Sequence, residues 1–254
     1  EKGNLIRRTN FDEKDQRCLS TFNICSFTQK FDAQGRLTEV CNFDCLDKPI
    51  MAIDNTDKTK HGTRSICRQV VKYDSYGNPI EILYYDETGN LSVKNGWAKE
   101  ERVYNQLNRI VESKFYNEKG ELMGGNFSKP IEKYEYNNLG QETLLQLVEE
   151  DGSIFININM KYEKNNIVEL SFTNKEDKLQ ELSVLGVNTG TPYAIGRFTF
   201  NEKGLLLKKS YYDKNGKLFN GEIGYAYVVN DYDKQGRIIR QELYDKDGNI
   251  AEST

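Results

Sequence analysis

The sequence has little of what most enzyme active sites require. Among its 254 residues there is one His, His61, which lies in a polar stretch beside Gly62. A single His forms a Ser–His or Cys–His catalytic arrangement only with neighbouring partners, which this sequence does not indicate. Adjacent carboxylates such as Glu100 and Glu101 are common on solvated faces, whereas glycoside chemistry needs a defined separation across a cleft. We therefore expect no catalytic residue, no cofactor and no metal, and a protein that is not an enzyme.

Long apolar runs and clusters of basic residues are also missing. No run of 18 apolar residues occurs, which excludes a transmembrane helix. The formal net charge is -4 and the two signs are interspersed, whereas nucleic-acid-binding proteins concentrate basic residues on one face. We expect neither a nucleic-acid partner nor a membrane span.

The chain is polar and yet rich in aromatic residues. It has 16 Tyr and 12 Phe, while charged residues make up 29% and the mean hydropathy is -0.74. Disordered chains are depleted in aromatics, so the chain is expected to fold. This combination suits a thin fold in which each strand keeps one solvated face.

One short pattern recurs along the chain and is clearest at Tyr211-Tyr212-Asp213-Lys214-Asn215-Gly216-Lys217-Leu218. Asp or Asn followed shortly by Gly is turn chemistry, because the Asx side chain bonds nearby backbone and Gly takes a positive φ at little cost. The flanking aromatic and aliphatic residues favour strands. Each copy therefore predicts the tip of a β-hairpin.

The turn position recurs in pairs whose members lie 11 or 12 residues apart. Gly, Asn or Asp fills it at Gly3, Asp15, Gly35, Asp47, Gly77, Gly89, Asn108, Gly120, Gly140, Gly152, Asn166, Asp177, Gly204, Gly216, Gly236 and Gly248. Successive pairs are mostly about 32 residues apart. Between the paired turns, the last apolar position is held by Phe11, Phe43, Tyr85, Tyr116, Val148, Phe172, Tyr212 and Tyr244. The pattern predicts an all-β, antiparallel β-hairpin array of about eight units over residues 1–254, forming an elongated or coiled single-layer sheet or solenoid.

A candidate binding strip comes from neighbouring aromatic residues. Adjacent side chains on a strand point to opposite faces, so one ring of each pair is expected to face away from the inter-strand core. In a single-layer sheet these rings would form an exposed stripe, and such stripes usually bind a partner. The candidate ligand-binding residues, which include the aromatics of two Gly-aromatic-Ala elements, are Tyr84, Trp97, Phe115, Tyr211 and Tyr225.

All five cysteines fall within the first 67 residues, at Cys18, Cys25, Cys41, Cys45 and Cys67. Their spacing differs from the Cys-x2-Cys knuckle of structural zinc sites. Cys41 stands in a column that Leu83 holds elsewhere, which favours apolar packing. A disulfide and a metal site remain the alternatives.

With these residues in view, the chain resembles the bacterial YD-repeat (Rhs-type) proteins. Their signature is Tyr-Asp, two variable residues, Gly, Arg or Asn, then Leu. It is matched, with Ile in the last place, by Tyr232-Asp233-Lys234-Gln235-Gly236-Arg237-Ile238 and by Tyr244-Asp245-Lys246-Asp247-Gly248-Asn249-Ile250. The resemblance implies β-hairpin strips that coil into shells or extended sheets of exported or surface proteins. A weaker similarity to choline-binding repeats rests on Tyr84-Tyr85 followed by Gly96-Trp97. With one Trp, the aromatic cages of that family cannot recur.

From this resemblance we expect a non-enzymatic scaffold or binding module, exported or at the cell surface rather than cytoplasmic. Its partner would be a protein or the remainder of its own chain, since the array reads as a segment of a longer chain. The alternative is a carbohydrate- or cell-wall-binding module that uses the aromatic strip to hold a glycan.

Overall fold

Tight turns organise the chain into antiparallel hairpins. The computed structural model describes residues 3–54, 63–64, 66–94, 96–125, 127–181, 193–220 and 224–251. The chain divides into two units, Glu1–Ile131 and Glu132–Thr254. The two longest insertions between repeats are residues 49–66 and 179–196. His61 and much of both insertions lie outside the described residues.

The first unit carries a sheet whose strands follow the chain in order. They are β1 (Arg7–Thr9), β2 (Ser26–Phe31), β3 (Leu37–Phe43), β6 (Arg68–Tyr73), β7 (Pro79–Tyr85), β8 (Lys99–Tyr104) and β9 (Ile110–Tyr116). Two short strands, β4 (Ile53–Asp54) and β5 (Thr63–Arg64), pair with each other between β3 and β6.

The second unit repeats this organisation, again with every strand beside its neighbours in sequence. Its strands are β10 (Ile131–Tyr136), β11 (Glu142–Val148), β12 (Ile154–Glu163), β13 (Asn166–Thr173), β14 (Ile195–Phe200), β15 (Leu206–Tyr212), β16 (Tyr227–Tyr232) and β17 (Ile238–Tyr244). The paired strands are antiparallel in both units. The prediction of an all-β, antiparallel hairpin fold is confirmed.

The turn chemistry is as the sequence predicts. Oδ1 of Asp213 accepts hydrogen bonds from the backbone N–H groups of Asn215 (2.9 Å) and Lys217 (2.8 Å). The Gly216 N–H donates to the Asp213 carbonyl at 3.0 Å, and Gly216 has a φ of 73°. Fifteen of the sixteen predicted turn positions have a positive φ.

The exception is Asn166, which begins β13, and here the prediction is wrong. The positive φ falls on Lys164 instead, at 55°. Thr173, rather than Phe172, then occupies the strand-end position and bridges Leu179. A one-residue slip moves a side chain to the other face of a strand, and Phe172 is fully buried as a result.

Small buried residues connect one hairpin to the next. The Ala98 N–H donates to the Tyr116 carbonyl at 2.8 Å, and the Ala98 carbonyl accepts from the Tyr84 N–H at 2.9 Å. The same position is held by fully or almost fully buried side chains at Cys25, Cys67, Ala98, Ala194 and Ala226. Each of these residues extends the backbone ladder across the junction, where little room is left for a side chain.

Candidate functional site

In the first unit, the candidate residues Tyr84, Trp97 and Phe115 meet in one apolar cluster with Ile66 and Ile82. The Trp97 and Phe115 ring centroids are 4.9 Å apart and the ring planes meet at 61°, an edge-to-face contact. The structure therefore brings three sequence-predicted residues together. All three are buried, and Phe115 is fully so.

The segment between β7 and β8 provides the cover over these rings. Lys94 and Trp97 exchange backbone hydrogen bonds of 2.8 and 3.2 Å around Gly96, whose φ is 101°. This tight turn brings Trp97 back over the sheet and sets the Lys94 ammonium 5.4 Å from the Tyr84 ring centroid. On the next segment, Gly125 lies so close to Phe115 that a Cβ there would fall 2.1 Å from the ring.

The second unit builds an equivalent layer from Tyr residues. Tyr193 lies between Phe172 and Tyr211, with ring centroids 5.4 and 5.1 Å away. The candidate Tyr225 contacts Tyr211 at 6.3 Å and is half-buried. Burial raises the pKa of the Tyr193 hydroxyl, as expected for a phenol removed from water.

The expectation of an exposed aromatic stripe is therefore wrong. Adjacent rings do point to opposite faces, but the segments between hairpins fold back and bury Tyr84, Phe115 and Tyr211. Trp97 and Tyr225 belong to those covering segments. The glycan-binding hypothesis stays a prediction, but it has lost the accessible strip on which it relied.

The opposite face of the first unit is lined by cations, aromatic rings and carboxylates. The Arg68 guanidinium lies 4.1 Å from the centroid of the Tyr85 ring, and the Lys99 ammonium lies 4.4 Å from that of Tyr116. Lys99 also pairs with Glu101 at 2.7 Å, and the Tyr116 hydroxyl donates to the same carboxylate at 2.6 Å. Burial, followed by the hydrogen bond to Glu101, raises the pKa of Tyr116 well above its usual range.

The second unit has the same arrangement. The Arg197 guanidinium lies 4.6 Å from the centroid of the Tyr212 ring and pairs with Glu169 at 2.8 Å. The rings of Tyr227 and Tyr244 stack with centroids 4.8 Å apart and an interplanar angle of 7°. We call this face of each unit the charged face; its contacts link one strand to the next.

Within several hairpins, opposite charges stand directly across from each other. Lys30 lies opposite Glu39 and bonds it at 2.7 Å, and Lys72 lies opposite Glu81 at 2.5 Å. In both hairpins the base lies on the first strand and the acid on the second. The last hairpin has the opposite order, with Asp231 on its first strand and Arg240 on its second.

Buried charged side chains on the aromatic side of the sheet were missed by the sequence reasoning. Glu100 is buried and accepts hydrogen bonds from Arg102 Nε (2.6 Å) and Nη2 (3.0 Å). Glu132 is fully buried and accepts a hydrogen bond from the Tyr134 hydroxyl. Burial, with the nearby charge of Glu132, raises the pKa of Glu142. Their burial follows from the strand register, in which Glu100 lies opposite Phe115.

Large apolar side chains are exposed at hairpin tips of the first unit. Tyr76 and Leu107 hold the same position in successive turns and are 82% and 70% exposed. The two turns are joined by a hydrogen bond of 2.9 Å from Asn78 Nδ2 to Asn108 Oδ1. In the second unit, Leu139 holds the corresponding position and is 78% exposed.

All five cysteines are free thiols, and Cys25, Cys41 and Cys67 are buried, as the packing interpretation requires. Within the described residues, no group of three or more His, Cys, Asp or Glu side chains is placed to hold a metal ion. The same part of the chain contains no helix long and apolar enough to cross a membrane.

The sequence matches no family model and no curated protein. Among solved structures, a Photorhabdus luminescens Tc holotoxin pore aligns at a TM-score of 0.46 and 11% identity, over 97% of this chain and 13% of that chain. A TcdB2–TccC3–TEV complex aligns at 0.33 and 10%, over 93% of this chain and 13% of that one. A porin-like protein from Bacteroides uniformis aligns at 0.28 and 10%, over 85% and 81%. At TM-scores below 0.5 these likenesses carry no argument about function, which rests on the geometry of the chain itself.

Proposed function

We propose that the chain is a non-enzymatic repeat scaffold of a bacterial exported or surface protein, acting through protein–protein or self interactions. The observation that carries this proposal is the recurring packing of aromatic rings between one hairpin and the next. In each unit, a segment between hairpins returns an aromatic ring onto the sheet, as Trp97 does onto Phe115 and Tyr193 onto Phe172 and Tyr211. Within each unit, hairpins joined in this way form a sheet whose aromatic face is covered by the chain itself.

At a finer level, we propose the Rhs-type organisation suggested by the sequence. It consists of about eight sequence repeats of roughly 32 residues each. Strand contacts fall between neighbours in sequence, so stability is expected to add up along the array. Buried titratable groups have structural partners that support a scaffold role: Glu100 binds Arg102, and Glu132 binds Tyr134.

The hairpin tips supply the contact surface for a protein partner or for the remainder of the chain's own gene product. Tyr76 and Leu107 give the first unit two large apolar side chains at matching positions, next to polar turn residues. Apolar centres with polar rims are the usual form of protein interfaces.

The test compares the wild-type chain with the double variant Tyr76→Ser/Leu107→Ser. Both positions are exposed, so folding should be unchanged, while affinity should fall at least tenfold if the tips form the centre of the interface. Binding to the remaining segments of the gene product is measured by surface plasmon resonance, and self-association by sedimentation velocity. Leu46→Ser is the matched control, because Leu46 is similarly exposed but lies in the turn after β3, whereas Tyr76 and Leu107 lie in the turns between β6 and β7 and between β8 and β9.

Two outcomes would contradict the proposal. One is a wild-type chain that binds neither itself nor the rest of its gene product at high micromolar concentration. The other is specific, saturable binding on a glycan array, which would favour the carbohydrate-binding alternative.

A further inference from the structure

The cysteines of the first unit lie in two groups, and one pair is placed for a covalent bond. Cys41 Sγ and Cys67 Sγ both donate to the same acceptor, the Asn42 carbonyl oxygen, at 4.0 and 3.9 Å. Both side chains are buried and pack in one apolar cluster with Met51 and Phe43. Two thiols that share one acceptor and one cluster are neighbours in space.

The two cysteines meet where β6 begins. Cys41 lies opposite Arg68 in the pairing of β3 with β6, and Cys67 directly precedes β6 at a bend. In a regular strand Cys67 would face away from Cys41, but at this bend its sulfur reaches the same carbonyl oxygen as that of Cys41. The Asn42 N–H donates to the Cys67 carbonyl at 2.8 Å, which holds the two strands together at this point. Strands ~5 Å apart and a rise of ~3.3 Å per residue place the two α carbons about 6 Å apart. Disulfides span about 4.4 to 6.8 Å between α carbons.

We propose that Cys41 and Cys67 form a disulfide in an oxidising compartment, and that this bond fastens β3 to β6 across the longest insertion of the first unit. The co-reactant is a disulfide, either a small-molecule one or that of a thiol oxidase. The two cysteine thiols lose two protons and two electrons, one S–S bond forms in the protein, and the oxidant's S–S bond is reduced to two thiols.

The bond forms while the chain folds and not afterwards. Burial raises the pKa of the Cys41 thiol, and burial together with the neighbouring Cys41 raises that of Cys67 to about 12. Exchange proceeds through the thiolate, which is scarce at neutral pH for both groups. The folded, reduced chain therefore reacts slowly, and once formed the disulfide is shielded from reductants by the same packing.

Cys25 and Cys45 are the competing pair. A hydrogen bond to Cys25 raises the pKa of the Cys45 thiol to about 11, so these two sulfurs are also close. The two pairs differ in burial, since Cys45 lies half-buried in the turn after β3, whereas Cys41 within β3 and Cys67 just before β6 are both buried. An experiment must therefore identify which sulfurs are joined.

In the test, the full chain is reduced, unfolded and refolded in a mixture of reduced and oxidised glutathione, and remaining thiols are then blocked with N-ethylmaleimide. Cleavage before Asp44 separates Cys41 from Cys45, and mass spectrometry without reduction identifies the joined peptides. The expected product links the peptide of Cys41 to that of Cys67. Its thermal midpoint should exceed that of the reduced chain by roughly 5–10 °C.

Variants make the assignment specific. Cys67→Ala, which matches the Ala found at this position in other hairpins, should abolish both the linked peptide and the thermal shift. Cys18→Ser should change neither. If the chain does not refold in vitro, the same peptides are analysed in protein expressed in a bacterial periplasm and alkylated before lysis. Joining of Cys25 to Cys45 alone, or five blocked thiols in a folded chain, would overturn the proposal.

Discussion

Trp97 packs edge-on against Phe115, with the ring centroids 4.9 Å apart, although the two residues belong to different hairpin segments. The contact joins the segment that precedes β8 to the end of β9. It forms part of the cover over the aromatic face of the first unit.

Replacing Trp97 by Ala should destabilise the first unit by roughly 3–5 kcal/mol, because the lost ring leaves Phe115 and Tyr84 uncovered. Trp97→Phe should recover about half of this loss. Urea unfolding followed by circular dichroism measures the change, and Tyr76→Ala, at an exposed position, should stay within about 0.5 kcal/mol of wild type. A Trp97→Ala chain as stable as wild type would show that the cover contributes nothing.

Glycine is required at Gly125 and at Gly89 for two different physical reasons. A Cβ at Gly125 would fall 2.1 Å from Phe115, while Gly89 has open space but a φ of 88°. Gly125→Ala should cost roughly 1–3 kcal/mol through overpacking, and Gly89→Ala roughly 1 kcal/mol through backbone strain. Fluorescence of Trp97, the single Trp, reports on both variants in urea. Replacing Phe115 by Leu in the Gly125→Ala background should restore stability, but it should not help Gly89→Ala.

Arg102→Met should cost roughly 3 kcal/mol, because it leaves the buried Glu100 carboxylate without its guanidinium partner. The double variant Glu100→Gln/Arg102→Met should be more stable than Arg102→Met alone. A double-mutant cycle in urea gives the coupling energy between the two side chains. Coupling close to zero would mean that water or another group replaces Arg102.

Glu169 makes the second unit sensitive to acid. Burial alone would raise its pKa, but the hydrogen bonds and charges of Lys161 and Arg197 outweigh burial and lower it. A lowered folded-state pKa gives stability that is complete above the unfolded value of about 4.3 and is lost as the pH falls through the folded value. The free energy of unfolding should therefore fall more steeply below about pH 5 for wild type than for Glu169→Gln.

The control for this pH series is Glu202→Gln, a change in an exposed turn, which should leave the wild-type slope intact. Equal slopes for wild type and Glu169→Gln would show that the ion pairs of Glu169 contribute no pH-dependent stability.

The turns were predictable from sequence, because their chemistry is local. The Asx side chain and the Gly of Asp213 to Gly216 lie within four residues, and this spacing alone specifies the φ and the hydrogen bonds. The error at Asn166 has the same origin: Asn165 and Asn166 both tolerate turns, and sequence spacing could not show that Lys164 would take the positive φ.

The burial of the aromatic rings could not be predicted in this way. Whether Tyr84 and Tyr211 are exposed depends on where Trp97 and Tyr193 return to the sheet, and those contacts join residues more than ten positions apart. Alternation along a strand distinguishes two faces, but it does not show what covers each face. Glu100 was missed for the same reason, since its neighbour Phe115 becomes apparent only once the register is known.

The reversed charge order of the last hairpin bears on how similar strands find their correct partners during folding. A chain of near-equivalent strands can mispair, and a wrong pairing between equivalent positions keeps most apolar contacts. Lys30 matched with Arg240, or Asp231 with Glu39, would set like charges directly opposite each other, which destabilises an antiparallel pair. The reversed polarity thus distinguishes the strands of the last hairpin from those of the hairpin that carries Lys30 and Glu39, so that exchange between these two hairpins is disfavoured even where their rings and turns are interchangeable.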